Sequence, residues 1–153
     1  TAPGVTNSLS RRTSAFVASV RPTGMTDVPT EGETRTYTRT FSKADVRQFA
    51  DLSNDRGTHH EKPDEEGRLV VHGLLTATLP TKIGGDLDVL ARTMTFEFYR
   101  PVYTGEEIVC EVTIDRVEEG ETRVDVGADI ECRNEDEEVV LTGTFDGVVF
   151  RDH

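Results

Sequence analysis

Two rhythms of apolar residues divide this chain. From Met94 onward, apolar and polar positions alternate. Met94, Phe96 and Phe98 share one face, with Thr95 and Glu97 on the other. Ile108, Cys110, Val112 and Ile114 repeat the alternation, then Val124, Val126, Ala128, Ile130 and Cys132, then Val139, Leu141, Gly143 and Phe145. A period of two sends successive side chains to opposite faces of a strand, so each run predicts a strand with one apolar face. Glu119-Gly120 and Asn134-Glu135-Asp136 supply the turns between them. The expected product is an antiparallel sheet with one face to the core.

Ahead of this region the rhythm is helical. Thr34 to Phe41 is Thr-rich and aromatic and fits a first strand. Ser42 with Asp45 three residues on reads as a Ser-x-x-Asp capping box, and Val46, Phe49 and Ala50 follow at helical spacing. That helix should fray near Ser53-Asn54, both better in turns than in helices. Residues 54–68 read as loop, with the charged run Glu61 to Gly67 as a solvated turn. Leu69 to Val71 is apolar, and His72-Gly73 opens a second helix.

From Gly73 to Thr81 no residue is charged, in a chain that is 30% charged. A helix apolar on most sides is buried on most sides. Pro80 predicts a kink or an early end, since it removes a backbone donor and crowds the preceding turn. Gly84-Gly85 is the expected stop. This helix is the long apolar element that can cover the sheet, so the fold class is α+β: a curved antiparallel sheet wrapped around one central helix. Residues 1–33, rich in Thr, Ser, Pro and Gly, read as a partly ordered arm, and 34–153 as a single domain.

Composition narrows the partners. At 153 residues the chain can bury a real core. Its net charge of -12 argues against nucleic acid or an anionic membrane, both of which need a basic face. Lysine occurs only at 43, 62 and 82. So acidic and lysine-poor a surface suits a high-salt cytoplasm. Cys110 and Cys132 both fall in strands and read as buried free thiols. Ser10-Arg11-Arg12 invites a twin-arginine export reading. The apolar stretch behind it, Ala15 to Val20, is shorter than the ~7–15 residues of a signal core, and Arg21 ends it. No apolar run approaches the ~20 residues that span a bilayer. The expectation is a cytoplasmic protein.

The candidate chemistry lies between the two helices. Asp55 and His60 can each take or give a proton, and a loop lets two such groups converge on one small molecule. Spacing alone favours a plainer reading, with Asp55 as a helix-end or turn residue and the histidines facing solvent. His59-His60-Glu61 could suggest a metal, but adjacent loop histidines rarely point at one ion, so no metal is expected. His72 reads as structural at the helix start. Met94, Phe96 and Phe98 read as core. Arg56, Lys82, Arg92 and Arg100 are candidates for contacting phosphates.

Three segments together resemble the MaoC-like family, which includes the R-specific enoyl-CoA hydratases. Phe49-Ala50-Asp51-Leu52-Ser53-Asn54-Asp55 leads to Arg56-Gly57-Thr58-His59-His60, with the histidine five residues after the aspartate, which selects His60 over His59. His72-Gly73-Leu74-Leu75 matches the family's His-Gly helix start. Phe98 to Glu106 resembles its Pro-Val-x-x-Gly-Asp turn. The chain departs from the pattern at Gly57-Thr58, where the family has Asn-Pro, and the interval from His60 to His72-Gly73 is a few residues short.

The resemblance implies a hotdog fold and hydration of a trans-2-enoyl-CoA thioester, or the reverse dehydration. Asp55 would act as base on water, His60 would orient it, and the Gly73 amide would donate to the enolate oxygen. Coenzyme A would enter as part of the substrate, with no separate cofactor. The protein would be a homodimer, or a dimer or trimer of dimers. The same fold elsewhere hosts acyl-CoA thioesterases, and a non-catalytic acyl-CoA binding module is a further alternative.

Overall fold

The computed structural model describes residues 28–151. Most of the expected arm, including Ser10-Arg11-Arg12, lies outside the described residues. Its last part is docked: Gly32 N donates to Ile114 O at 2.7 Å and Ile114 N to Glu33 O at 2.8 Å. The ladder of the first strand therefore begins before residue 34.

The chain runs β1 (Thr34–Thr40), α1 (Lys43–Ser53), α2 (Thr58–Glu61), α3 (Gly73–Thr76), α4 (Thr78–Asp86), β2 (Leu90–Phe98), β3 (Glu107–Glu119), β4 (Arg123–Arg133) and β5 (Val139–Phe150). The five strands form one curved antiparallel sheet in the order β1-β3-β4-β5-β2. It folds over α3 and α4, and Leu75, Leu79, Ile83 and Leu87 pack into a core with Ile108, Cys110, Val112, Ile114, Val124, Val126 and Leu141. This is the expected α+β architecture.

Local chemistry explains the helix ends. The capping box forms in both directions: Asp45 N to Ser42 Oγ at 3.0 Å and Ser42 N to Asp45 Oδ2 at 2.9 Å. α1 ends at Asn54, which takes the left-handed conformation (φ 63°) and donates its N–H to Ala50 O. The second helical segment breaks at Ala77, three residues ahead of Pro80. A proline cannot donate to the carbonyl four residues back, here that of Thr76, so the helix interrupts before it. It then runs through Gly84-Gly85 to Asp86, past the expected stop.

Two further expectations are corrected. The loop over 54–68 contains the one-turn helix α2. And β2 is an edge strand rather than a core strand: Met94 is 39% and Phe98 51% exposed, and only Phe96 packs partly against the core. Strand order decides this, because among the described residues β2 pairs with β5 alone and has no neighbour on its other side. β2 also crosses close above β5, where Gly143 leaves room for it; a Cβ there would fall 2.2 Å from Thr95 O. Cys110 and Cys132 stand opposite each other across β3 and β4, buried and free. The contact with Cys132 and then burial push the Cys110 thiol far up.

Candidate active site

The loop after α1 is built by short side-chain bonds. Ser53 Oγ accepts from Asp55 N at 3.1 Å, and Asp55 Oδ1 accepts from Gly57 N at 3.3 Å. The chain then winds once as α2, which buries His60 and leaves His59 exposed at the cavity wall, its ring centroid 3.9 Å from that of His60. Beyond it, Asp64 accepts from the amides of Glu66 and Arg68, both at 2.9 Å, and closes the exposed turn with Gly67 at φ +79°. These bonds to Arg68 and Glu66 hold the Asp64 carboxyl below its usual range.

The chain returns along Leu69–Val71, bonded to residues 102–104: Val71 N to Val102 O at 2.7 Å and Thr104 N to Leu69 O at 2.9 Å. The turn that follows needs glycine, since Gly105 sits at φ +91°. Glu106 completes it by accepting from Tyr103 N at 2.8 Å. The third motif is therefore a structural clamp on the segment that carries the site.

His60 is 6% exposed. Its Nδ1 lies 2.7 Å from Val70 O. A carbonyl only accepts, so Nδ1 carries the hydrogen and Nε2 is the bare nitrogen of the neutral ring. Nε2 faces Asp55 Oδ2 at 3.8 Å, with the Asp55 side chain 58% exposed. That gap is too long for a direct hydrogen bond and suits a bridging oxygen. His72 lies behind this pair. It is 1% exposed, its Nε2 is 3.0 Å from Asp55 O, and its ring stacks on that of His60 with centroids 3.7 Å apart and planes 16° apart.

His60 and Gly73 open onto one cavity of about 510 Å³, with Val71, Thr76, Phe98, Tyr99, Arg100, Pro101, Val102 and Val140 among its walls. That volume and the mainly apolar lining suit a small organic substrate. Gly73 begins α3, where the first amides have no acceptor within the helix. The ring of Phe98 lies over it, so the structural demand for glycine here comes from a side chain of the protein itself. Of the four basic residues proposed to meet phosphates, Arg100 lines the cavity and pairs with Glu138 at 3.3 Å. Arg56 pairs with Asp51, Lys82 with Asp86, and Arg92 with Asp125, all away from the cavity walls.

Asp55, His60 and His72 lie close enough together to be considered as a metal site. The stacking opposes it. Imidazole lone pairs lie in the ring planes, and two nearly parallel rings cannot aim both at one ion in the tetrahedral manner of zinc. Sequence reasoning missed Thr76 and Tyr99 as cavity walls. Thr76 was accessible to it, being one turn along from Gly73 on the same helix face.

A five-stranded antiparallel sheet wrapped on a central helix defines a hotdog fold. The comparisons agree. No family model matches the chain. It is 30% identical over 121 residues to the mitochondrial 3-hydroxyacyl-[acyl-carrier-protein] dehydratase of Arabidopsis thaliana, covering 73% of this chain and 72% of the relative. Its fold matches the (R)-hydratase from A. caviae involved in PHA biosynthesis at a TM-score of 0.70 and 23% identity, over 80% of this chain and 98% of that one. It matches the MaoC-like dehydratase from Rhodospirillum rubrum at 0.65 and 20% identity, over 82% and 95%. The chain belongs to the MaoC-like dehydratase and (R)-hydratase family. Among the described residues, no helix is long and apolar enough to cross a membrane.

Proposed function

We propose that this protein adds water to a trans-2-enoyl-CoA to give an (R)-3-hydroxyacyl-CoA, or catalyses the reverse dehydration. The observation that carries the reading is the 3.8 Å gap between His60 Nε2 and Asp55 Oδ2. Both atoms are acceptors when His60 is neutral with its hydrogen on Nδ1. A water between them donates one hydrogen to each, and its lone pair is left facing outward as a nucleophile.

In the forward direction the water oxygen bonds to the carbon β to the thioester carbonyl. Asp55 takes the proton, and the π electrons move toward the thioester oxygen. The Gly73 amide donates to that oxygen as charge builds, and the proton returns to the α carbon through the Asp55–His60 pair. One acid–base group contributes about 10²–10⁴-fold and one oxyanion donor about 10²–10³-fold. Crotonyl-CoA hydration by the intact protein tests the reading. Asp55→Asn and His60→Gln are each expected to abolish turnover while leaving the melting temperature near that of wild type. Full activity in both variants overturns it, and release of free thiol in place of hydration marks a thioesterase.

The assembly proposed is a homodimer. Support comes from β2, an edge strand that has no sheet neighbour on its outer side among the described residues and exposes Leu90, Met94 and Phe98. An apolar free edge of this length favours pairing with another strand. Phe98 belongs both to this strand and to the cavity wall.

A further inference from the structure

His72 makes contacts that neither the spacing of the Asp-His pair nor the hydration chemistry requires. It touches all three groups of the candidate site by different means. Its Nε2 lies 3.0 Å from the backbone carbonyl of Asp55, seventeen residues earlier in the chain. Its ring stacks on His60 at 3.7 Å and 16°. Its own carbonyl accepts from Thr76 N at 3.0 Å, which starts the helix at Gly73. Phe49 closes the other side edge-on, with ring centroids 4.9 Å apart.

The two ring nitrogens of His72 are used unequally. Nε2 faces a carbonyl, so it carries the hydrogen. Nδ1 is buried and has no hydrogen-bond partner among the described residues. A buried polar atom without a partner opposes stability. A phenylalanine would leave no unpartnered nitrogen, but its larger ring and the loss of the bond to Asp55 O carry costs of their own. What it provides, and phenylalanine does not, is a donor to the Asp55 loop from a ring that also fixes the plane of His60.

We propose that His72 is the positioning residue of this site: it locks the Asp55 backbone by a hydrogen bond and the His60 ring by stacking, and so sets the gap in which water is held. This rests on the hydration reading, and two variants divide its parts. His72→Phe keeps a flat ring against His60 and loses the donor. His72→Gln keeps a donor that can reach the Asp55 carbonyl and loses the stack.

Misplacement of reacting groups by about 1 Å can cost on the order of 10²-fold in rate. His72→Phe is therefore expected to lower kcat for crotonyl-CoA hydration by about 10- to 100-fold, with KM changed by less than about twofold, since His72 does not line the cavity. His72→Gln is expected to recover part of that loss. A merely structural role would lower the melting temperature and leave kcat alone. Proton NMR of the His60 ring gives a reading that needs no turnover: an Nδ1 hydrogen protected on Val70 O in the wild type, and faster exchange of that hydrogen in His72→Gln, where the ring is no longer clamped by the stack. A kcat for His72→Phe within about twofold of wild type overturns the proposal. If the wild type proves to have no hydratase activity, the hydration reading fails by itself, and an unchanged exchange rate of the His60 Nδ1 hydrogen in His72→Gln then overturns the positioning role.

Discussion

The ring of Phe98 covers Gly73 so closely that a Cβ at position 73 would lie 3.0 Å from its Cε1 and 3.1 Å from its Cζ. Glycine at the head of α3 thus does two things. It leaves the helix-start amide open to the cavity, and it lets the end of an edge strand fold down as the cavity wall.

Gly73→Ala tests this by its sign. Alanine gains about 0.5–1 kcal/mol over glycine within a helix, while overpacking typically costs about 1–3 kcal/mol. With Phe98 present the clash is expected to win, giving a net loss of about 1 kcal/mol in urea unfolding. In a Phe98→Ala background the clash is gone, and the same substitution is expected to stabilise. Additive effects in this double-mutant cycle would mean that the ring swings aside freely and does not define the site.

The capping box of α1 predicts a pH dependence. The backbone hydrogen bond from Ser42, with help from the Ser42 hydroxyl and Arg39, holds the Asp45 carboxyl below its ordinary 3.8. A carboxyl lowered in the folded state binds its proton less readily there than in the unfolded chain. Its contribution is therefore present above 3.8 and lost as pH falls through the lower folded value. Ser42→Ala is expected to cost about 1 kcal/mol near neutral pH. Asp45→Asn should destabilise near neutral pH and converge toward wild type in acid. A gap between wild type and Asp45→Asn that stays constant down the acid limb of a urea-unfolding series would contradict this assignment.

How much of this could be read from the chain depends on the range of the interactions involved. The α1 cap was legible because Ser42 and Asp45 are three residues apart and the bonds are local. The alternation in β3 and β4 was legible because period two reports burial directly. Met94 and Phe98 misled because their alternation is as regular as that of Ile108 to Ile114. What separates them is strand order, a property of the whole sheet, and β2 lands at its edge. The Asp55–His60 pair was legible through its five-residue interval together with the family resemblance. The grip of His72 on Asp55 was not. It spans seventeen residues and depends on how α2 and the charged turn fold back, which no local pattern encodes.

The acidic surface carries a further expectation. With a net charge of -12, like charges repel across the folded chain and favour expansion. Salt shortens the range of that repulsion to about 3 Å at molar concentration. The melting temperature is therefore expected to rise markedly from low to molar salt. Surface pairs such as Arg56–Asp51 at 2.9 Å weaken under the same screening, but exposed pairs contribute little to begin with. Equal melting temperatures at both extremes would remove the high-salt interpretation.

The free edge of β2 makes the proposed assembly testable without reference to catalysis. Met94 is 39% exposed and sits mid-strand on that edge, opposite Phe145 of β5. In a monomer the side chain is partly in water but also lines a small pocket with Pro80, Gly84 and Phe145, so a charge there costs less than it would beneath a covering strand. In a dimer joined along this edge the same charge is buried against apolar neighbours, without a partner to offset its desolvation. Met94→Glu is therefore expected to leave the secondary structure intact and to shift sedimentation velocity from dimer to monomer. Phe98 lines the cavity from this strand, so the monomer should also lose hydration activity. A variant that still sediments as a dimer would place the interface on another face, and β2 would then be an edge guarded only by its polar residues.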